Sequence, residues 1–179
     1  MWGKIRKYYS PWIDVLTFGI MIGAFLYAVF SFGSLPAEIP THFNLAGEAD
    51  GWGRKGMLFG LIILHFHTVL LCFVLNYFLI IRSDDTVDSL QLINIPFIKK
   101  DELTVEQIRI VKKNAARMLT MMNLFVSILF AMIYDVMIQN GLGEKSTFGS
   151  AMGIMIIFIL FPAIYFTWKM YHDLKQSST

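Results

Sequence analysis

Apolar residues gather along this chain in four long runs, and the polar residues fall between them. The runs cover 12–33, 56–81, 119–138 and 147–168. Each meets the roughly 20 mostly apolar residues that a membrane-crossing helix needs. Pro162 interrupts the last run, and a spanning helix accommodates a proline as a kink. The pattern predicts an all-α membrane protein with four transmembrane helices, organised as a single membrane domain over 1–179. The polar stretch 34–55 is then an ordered extracellular cap between the first two helices. The longer interval 82–118 is a cytoplasmic loop that ends in a basic helix. Its first part, 82–103, shows no sustained periodicity. There Leu90, Leu92, Ile93, Ile95 and Phe97 are expected to touch the membrane surface or the bundle. Thr104 and Gln107 then form a capping box. Ile108, Val111, Ala115 and Met118 recur at helical spacing, opposite Arg109, Lys112, Lys113 and Arg117. This amphipathic helix is expected to run into the third span. Its expected role is to lie on anionic headgroups, with docking of a cytoplasmic protein partner as the alternative.

Composition sharpens the class. The 179 residues are 56% apolar and 16% charged, against about 45–50% and 25% in soluble domains. A water-soluble core of a chain this length does not hide that excess. Membrane lipids are therefore the expected surroundings. Cys72 lies within an apolar run, and a single cysteine excludes an intrachain disulfide and any multi-cysteine zinc pattern. It reads as a small buried hydrophobe.

Charge distribution sets the expected orientation. Lys4, Arg6 and Lys7 precede the first run. Arg82, Lys99, Lys100, Arg109, Lys112, Lys113 and Arg117 lie between the second and third, and Lys169 and Lys175 follow the fourth. Only Arg54, Lys55 and Lys145 lie in the other two intervals. The excess predicts that both termini and the 82–118 loop are cytoplasmic, in a multi-pass arrangement. The first run is too long for a secretory signal and lacks a small-x-small cleavage site, so it is expected to be an uncleaved span. Trp12, Trp52 and Trp168 fall at expected interfaces. Gly19 with Gly23, Gly56 with Gly60, and Gly149 with Gly153 form Gly-x-x-x-Gly pairs, which fit either a tight bundle or a homodimer seam.

The stretch LPAEIPTHFNLAGEADGWGRKG, 35–56, is polar and rich in turn formers. Pro36 and Pro40 favour extended backbone. Thr41-His42-Phe43-Asn44 reads as a short strand, and Gly47, Gly51 and the Asp50-Gly51 dipeptide read as turns. Trp52 is placed at headgroup level, with Lys55 snorkelling beside it. Pro40-Thr41-His42-Phe43-Asn44, Gly47, Asp50-Gly51-Trp52 and Lys55 together resemble the signature of the bacterial membrane family called domain of unknown function 1648. The resemblance covers roughly residues 12–81, and Asn94-Ile95-Pro96 with the following helix is similar to longer members. It implies a bacterial cytoplasmic-membrane protein. It also points to the sporulation-delaying-toxin immunity proteins, relatives that protect a cell from a secreted peptide toxin and sequester a repressor at the membrane. Those relatives carry a second half with an arginine- and threonine-containing motif, and the third and fourth spans here lack it.

Candidate chemistry centres on His42, with Glu38, Glu48 and Asp50 near it in sequence. Histidine plus carboxylates can hold a divalent metal, so His42 and Asp50 are the metal candidates. The alternative is that His42 only fixes the shape of the cap. His65 and His67 fall mid-span, facing different directions, and each is expected to make an interhelical hydrogen bond, with a proton relay or a ligand cavity as the alternative. Asn123 is a further intramembrane polar residue. Asp135 is expected near the outer end of the third span, against His42, Arg54 or Lys55. Asp14 is expected either to pair with Arg117 or to snorkel to water alone. The leading expectation is a non-enzymatic protein that recognises a peptide or lipid ligand outside, through His42, Asn44, Asp50, Trp52, Lys55 and Asp135. No cofactor is required by this reading. The alternatives are an intramembrane enzyme or metal-dependent site built from His42, Asp50, Asp135 and His65, or an accessory subunit of a transporter. No glycine-flanked serine, phosphate-binding loop or His-Glu-x-x-His occurs, and no nucleic-acid motif is present.

Overall fold

The structure is a computed structural model that describes residues 1–44, 46–96, 98–144 and 147–177. Phe97 and Lys145, which entered the sequence reading above, lie outside the described residues. A short helix α1, Trp2–Ile5, precedes α2, Trp12–Phe32. The strands β1, Glu38–Phe43, and β2, Ala49–Arg54, form an antiparallel hairpin. Three longer helices follow: α3, Met57–Leu75, α4, Val105–Gly141, and α5, Ala151–Gln176. The helix of α3 continues through Asn76–Ile81 as a π-turn, closed by Arg82 N–H donating to the Tyr77 carbonyl at 2.8 Å. Among the described residues four helices are long and apolar enough to cross a membrane, namely α2, α3 with its π-turn, α4 and α5. Their alternating direction puts the hairpin at one end of the bundle, the cap end. It puts both termini and the 82–104 connection at the other, the terminal end.

α4 is the hub, packed against α2, α3 and α5. Its start is set by the capping box: Thr104 Oγ1 accepts from Gln107 N–H, and the Gln107 side chain accepts from Thr104 N–H. The basic segment and the third apolar run are thus one continuous helix of 37 residues. α5 hides little of itself, and Ile157, Ile164 and Trp168 are widely exposed. In lipid that exposure is expected, because acyl chains solvate it as well as protein does.

Two departures concern this terminal half. Lys112 is not on an open basic face. It is fully buried, and its ammonium donates to the carbonyls of Ser83 (2.7 Å) and Asp84 (3.1 Å) and to Asp85 Oδ1 (2.9 Å). Arg109 closes on the other carboxylate oxygen of Asp85 at 2.7 Å. The apolar side of the helix is covered by the protein itself. Leu90 and Ile95 bury themselves against Ile108, Val111, Met170 and Leu174, which makes a second core. Ile93 packs at its edge, whereas Leu92 faces outward. The expected Asp14–Arg117 pair does not form either. Asp14 accepts from Thr120 Oγ1 (2.9 Å) and Tyr9 OH (3.1 Å), while Arg117 Nε donates to the Tyr8 carbonyl at 2.7 Å. Hydroxyl donors reach the carboxylate within the packed interface without burying a second charge.

The interior carries a polar seam on one face of α4. Thr120, Asn123 and Ser127 recur at helical spacing and are all buried. Asn123 donates to the Val69 carbonyl at 3.2 Å, and Ser127 donates to the Thr17 carbonyl at 3.3 Å. Asn76 reaches the Ala116 carbonyl at 3.1 Å. Such bonds hold helices in register where lipid supplies no hydrophobic drive. The glycine pairs do not contribute. Gly19, Gly23, Gly56, Gly60 and Gly153 meet no neighbour within 4 Å, and Gly149 precedes α5 rather than lying in it.

Candidate functional site: the hairpin at the cap end

The hairpin is anchored from several sides. Ile39 is fully buried in the main core, with Leu35, Leu58, Tyr134, Met137 and Ile138. Phe43 meets the edge of Phe148, from the α4–α5 connection, with ring centroids 5.0 Å apart. The turn docks on the same connection: Phe148 N–H donates to the Gly47 carbonyl at 3.3 Å. Gly47 has φ +80, and an added Cβ would lie 2.7 Å from Gly149 N and 2.9 Å from Phe148 N. Only glycine fits both that dihedral and that approach.

Two of the proposed ligand-binding residues turn out to build this scaffold. Asn44 Oδ1 accepts from the N–H groups of Ala46 (2.9 Å) and Glu48 (3.0 Å), so its side chain stands in for backbone within the turn. Lys55 does not snorkel away. Its ammonium donates to the carbonyls of Phe32 (3.2 Å) and Leu35 (2.9 Å) and sits 4.7 Å from the centre of the Phe32 ring. It therefore caps the negative end of α2. Replacing it, Lys55→Met, is expected to cost about 1 kcal/mol. That is a drop of about 2–4 °C in the unfolding midpoint in detergent. An unchanged midpoint would show that the cap is dispensable.

The outward face is what remains. Asp50, Trp52 and Arg54 alternate along β2 toward solvent. On β1, Glu38 stands opposite Arg54, and His42 stands opposite Gly51. Asp50-Gly51, expected as a turn, lies inside β2; the reversal occurs nearer Asn44 and Gly47. Gly51 serves close approach instead, since a Cβ there would lie 2.8 Å from that of His42. A break in register around His42 accompanies it. Across this gap His42 Nδ1 and Asp50 Oδ1 are 2.5 Å apart, with the two side chains 72% and 42% exposed. With Nδ1–H donated to the carboxylate, a neutral imidazole offers Nε2 as an acceptor. Trp52 beside them is 59% exposed.

The remaining candidates lie elsewhere. Asp135 does not meet the hairpin. It accepts from Gln139 Nε2 (2.8 Å) and Tyr27 OH (3.4 Å), and borders a cavity of about 480 Å³ with Ile20, Ile128 and Phe148. Gln139 lies one turn away on its own helix, so α4 satisfies the carboxylate locally. His65 is fully buried, bonded through Nε2 to Ser127 Oγ at 2.9 Å and stacked on Phe130. His67, expected to bridge helices, faces outward and bonds the Ile63 carbonyl one turn back at 2.8 Å. His42, Asp135 and His65 thus have separate partners. Among the described residues no group of three or more His, Cys, Asp or Glu could hold a metal ion. His42 and Asp50 therefore offer a metal two ligands, one short of the usual protein set at an open zinc site. The sequence reading missed Thr17, Thr120 and Ser127; the helical spacing of 120, 123 and 127 was the available signal.

Four apolar helices with a hairpin locked over one end define a multi-pass membrane protein. Residues 19–65 match the family model described as Domain of unknown function (DUF1648). The match runs from α2 across the hairpin into α3 and stops before α4. No curated protein and no solved structure matches the chain.

Proposed function

We propose that this is a non-enzymatic protein of the bacterial cytoplasmic membrane, with both termini inside, whose hairpin face binds a peptide arriving from outside. The resemblance of the cap sequence to that of toxin-immunity proteins supports a protective role against such a peptide. The observation that carries the reading is the division of labour within the hairpin. One face is committed to packing through Ile39, Phe43 and Gly47, while His42, Asp50 and Trp52 stay exposed on the other. A rigid, exposed aromatic beside a hydrogen-bonded ionisable pair suits recognition, since little ordering entropy is lost on binding.

The test is protection of cells from a secreted membrane-active peptide toxin. Trp52→Ala is expected to weaken peptide binding by about 2 kcal/mol, roughly 30-fold, as at a hot spot. His42→Ala and Asp50→Ala should act in the same direction. The membrane level of each variant and its unfolding midpoint should stay at the parent values. Full protection by all three variants would overturn the proposal, and loss of the protein itself would make the face structural.

A further inference from the structure

At the terminal end a cavity of about 630 Å³ opens between the N-terminal segment and the start of α4. Four cations line it, Arg6, Lys7, Lys113 and Arg117, with no carboxylate among its lining residues. Arg6, Lys7 and Lys113 are exposed. The neighbouring cavity shares Lys7 and Lys113 and does contain Asp85, but that carboxylate is already held by Arg109 and Lys112. Like charges gathered in one cavity repel one another, and an anion relieves this. Tyr8, Ser10 and Trp12 add hydroxyls and an interfacial aromatic ring.

A second cavity of about 490 Å³ adjoins the first, sharing Trp2 and Pro11. Its walls are apolar: Ile5, Val15, Phe18, Ile22 and Phe73, with Gly19 in the floor. Asp14 borders it, with its carboxylate engaged by Tyr9 and Thr120. The groove follows α2 from Pro11 to Ile22, about 16 Å at 1.5 Å per residue. One leaflet of hydrocarbon is about 15 Å thick. A Cβ on Gly19 would meet nothing within 4 Å, so that position is open space rather than a packed contact.

We propose that these two cavities form one site for an anionic glycerophospholipid. Its phosphate sits among Arg6, Lys7, Lys113 and Arg117, and one acyl chain lies along Val15, Phe18 and Gly19. Headgroup charge and acyl groove meet at Trp2 and Pro11, where a lipid at the interface changes from polar to apolar. The site is at the opposite end from the hairpin and independent of its ligand.

The experiment is a titration of the delipidated full chain in detergent with phosphatidylglycerol, phosphatidylcholine and glycerol 3-phosphate. Phosphatidylglycerol is expected to bind about tenfold or more tightly than phosphatidylcholine. The triple variant Arg6→Gln/Lys7→Gln/Lys113→Gln should abolish that preference. Arg117 is left intact because it also holds the Tyr8 carbonyl. Gly19→Leu should weaken both lipids and leave glycerol 3-phosphate binding unchanged. Because Gly19 is exposed on a helix, leucine there favours folding. Equal binding of the two lipids would overturn the proposal, as would a triple variant that keeps the preference. Glycerol 3-phosphate binding as tightly as the lipid, with Gly19→Leu silent, would assign the cavity to a soluble phosphate and overturn the lipid.

Discussion

Asp85→Ala is expected to lower the stability of the protein by about 2–4 kcal/mol, a fall of roughly 5–10 °C in the unfolding midpoint in detergent. The reason is Lys112. Its ammonium is fully buried and keeps only the Ser83 and Asp84 carbonyls once the carboxylate is gone. A buried cation without its counter-charge costs more than the pair itself contributes. Arg109 loses its partner too, but it is exposed and rehydrates. The double variant Asp85→Ala/Lys112→Met removes the stranded charge and should recover a large part of the loss. A double variant that loses as much as the sum of the two singles would refute the stranded-charge explanation. A pH arm follows from the same contacts. Burial alone would raise the Asp85 pKa, but the hydrogen bonds from Arg109 and Lys112 outweigh it and hold it below the usual carboxylate range. A carboxyl with a folded-state pKa below its unfolded value stabilises fully above the unfolded value, about 3.9. That stability is lost as pH falls from there through the folded pKa. The gap between parent and Asp85→Ala should therefore be constant near neutrality and narrow below about pH 4. A gap that persisted unchanged well below that pH would rule out the ion pair as its source.

How the chain hides Lys112 also explains what was legible in the sequence. The four spans were, because period and run length depend only on local composition, and Thr104 with Gln107 marked the start of α4 because a capping box is a local contact. Lys112 read as surface, since a basic residue among Arg109 and Lys113 matches a polar stripe. What buries it is a return of the chain by Ser83, Asp84 and Asp85 across 27 or more positions, which no local pattern encodes. Asp14 and Arg117 agreed in depth, but depth does not fix which side of a helix a residue faces. Asp50-Gly51 misled for another reason. The dipeptide favours a turn, yet here glycine admits His42 across a strand pair. The candidate face was legible only in part. His42, Asp50 and Trp52 stand exposed together, while the side chains of Asn44 and Lys55 bond to backbone groups, which the sequence does not show. An amide or an ammonium in a loop looks the same in sequence whether it faces a carbonyl or a solute.

That distinction makes the connection between α4 and α5 central to the cap. The hairpin has two strands, which alone are marginal in water. Its outer face can stay polar only because the inner face is fastened to something rigid. Ile39 fastens one end to α4, and Lys55 fastens the other to the end of α2. The turn itself depends on residues near Phe148.

Gly47→Ala is accordingly expected to free the turn, at a cost of about 2 kcal/mol or more. The positive φ accounts for about 1–2 kcal/mol of this. The rest comes from the close approach to the backbone nitrogens of Phe148 and Gly149, which are not flexible side-chain ends. Relieving the overlap means lengthening the bond from Phe148 N–H to the Gly47 carbonyl and parting Phe43 from Phe148. Gly143 provides the comparison. It has φ +88, but a Cβ there meets nothing within 4 Å. Gly143→Ala should therefore cost only the dihedral share. Protease sensitivity of the hairpin and the unfolding midpoint, measured on both variants, separate the two contributions. The hairpin of Gly47→Ala should be cut faster than that of Gly143→Ala, with a lower midpoint. Equal cleavage and equal midpoints would mean that the turn is not held by the α4–α5 connection. The exposed face of His42, Asp50 and Trp52 would then lack the rigid backing on which the proposed peptide recognition depends.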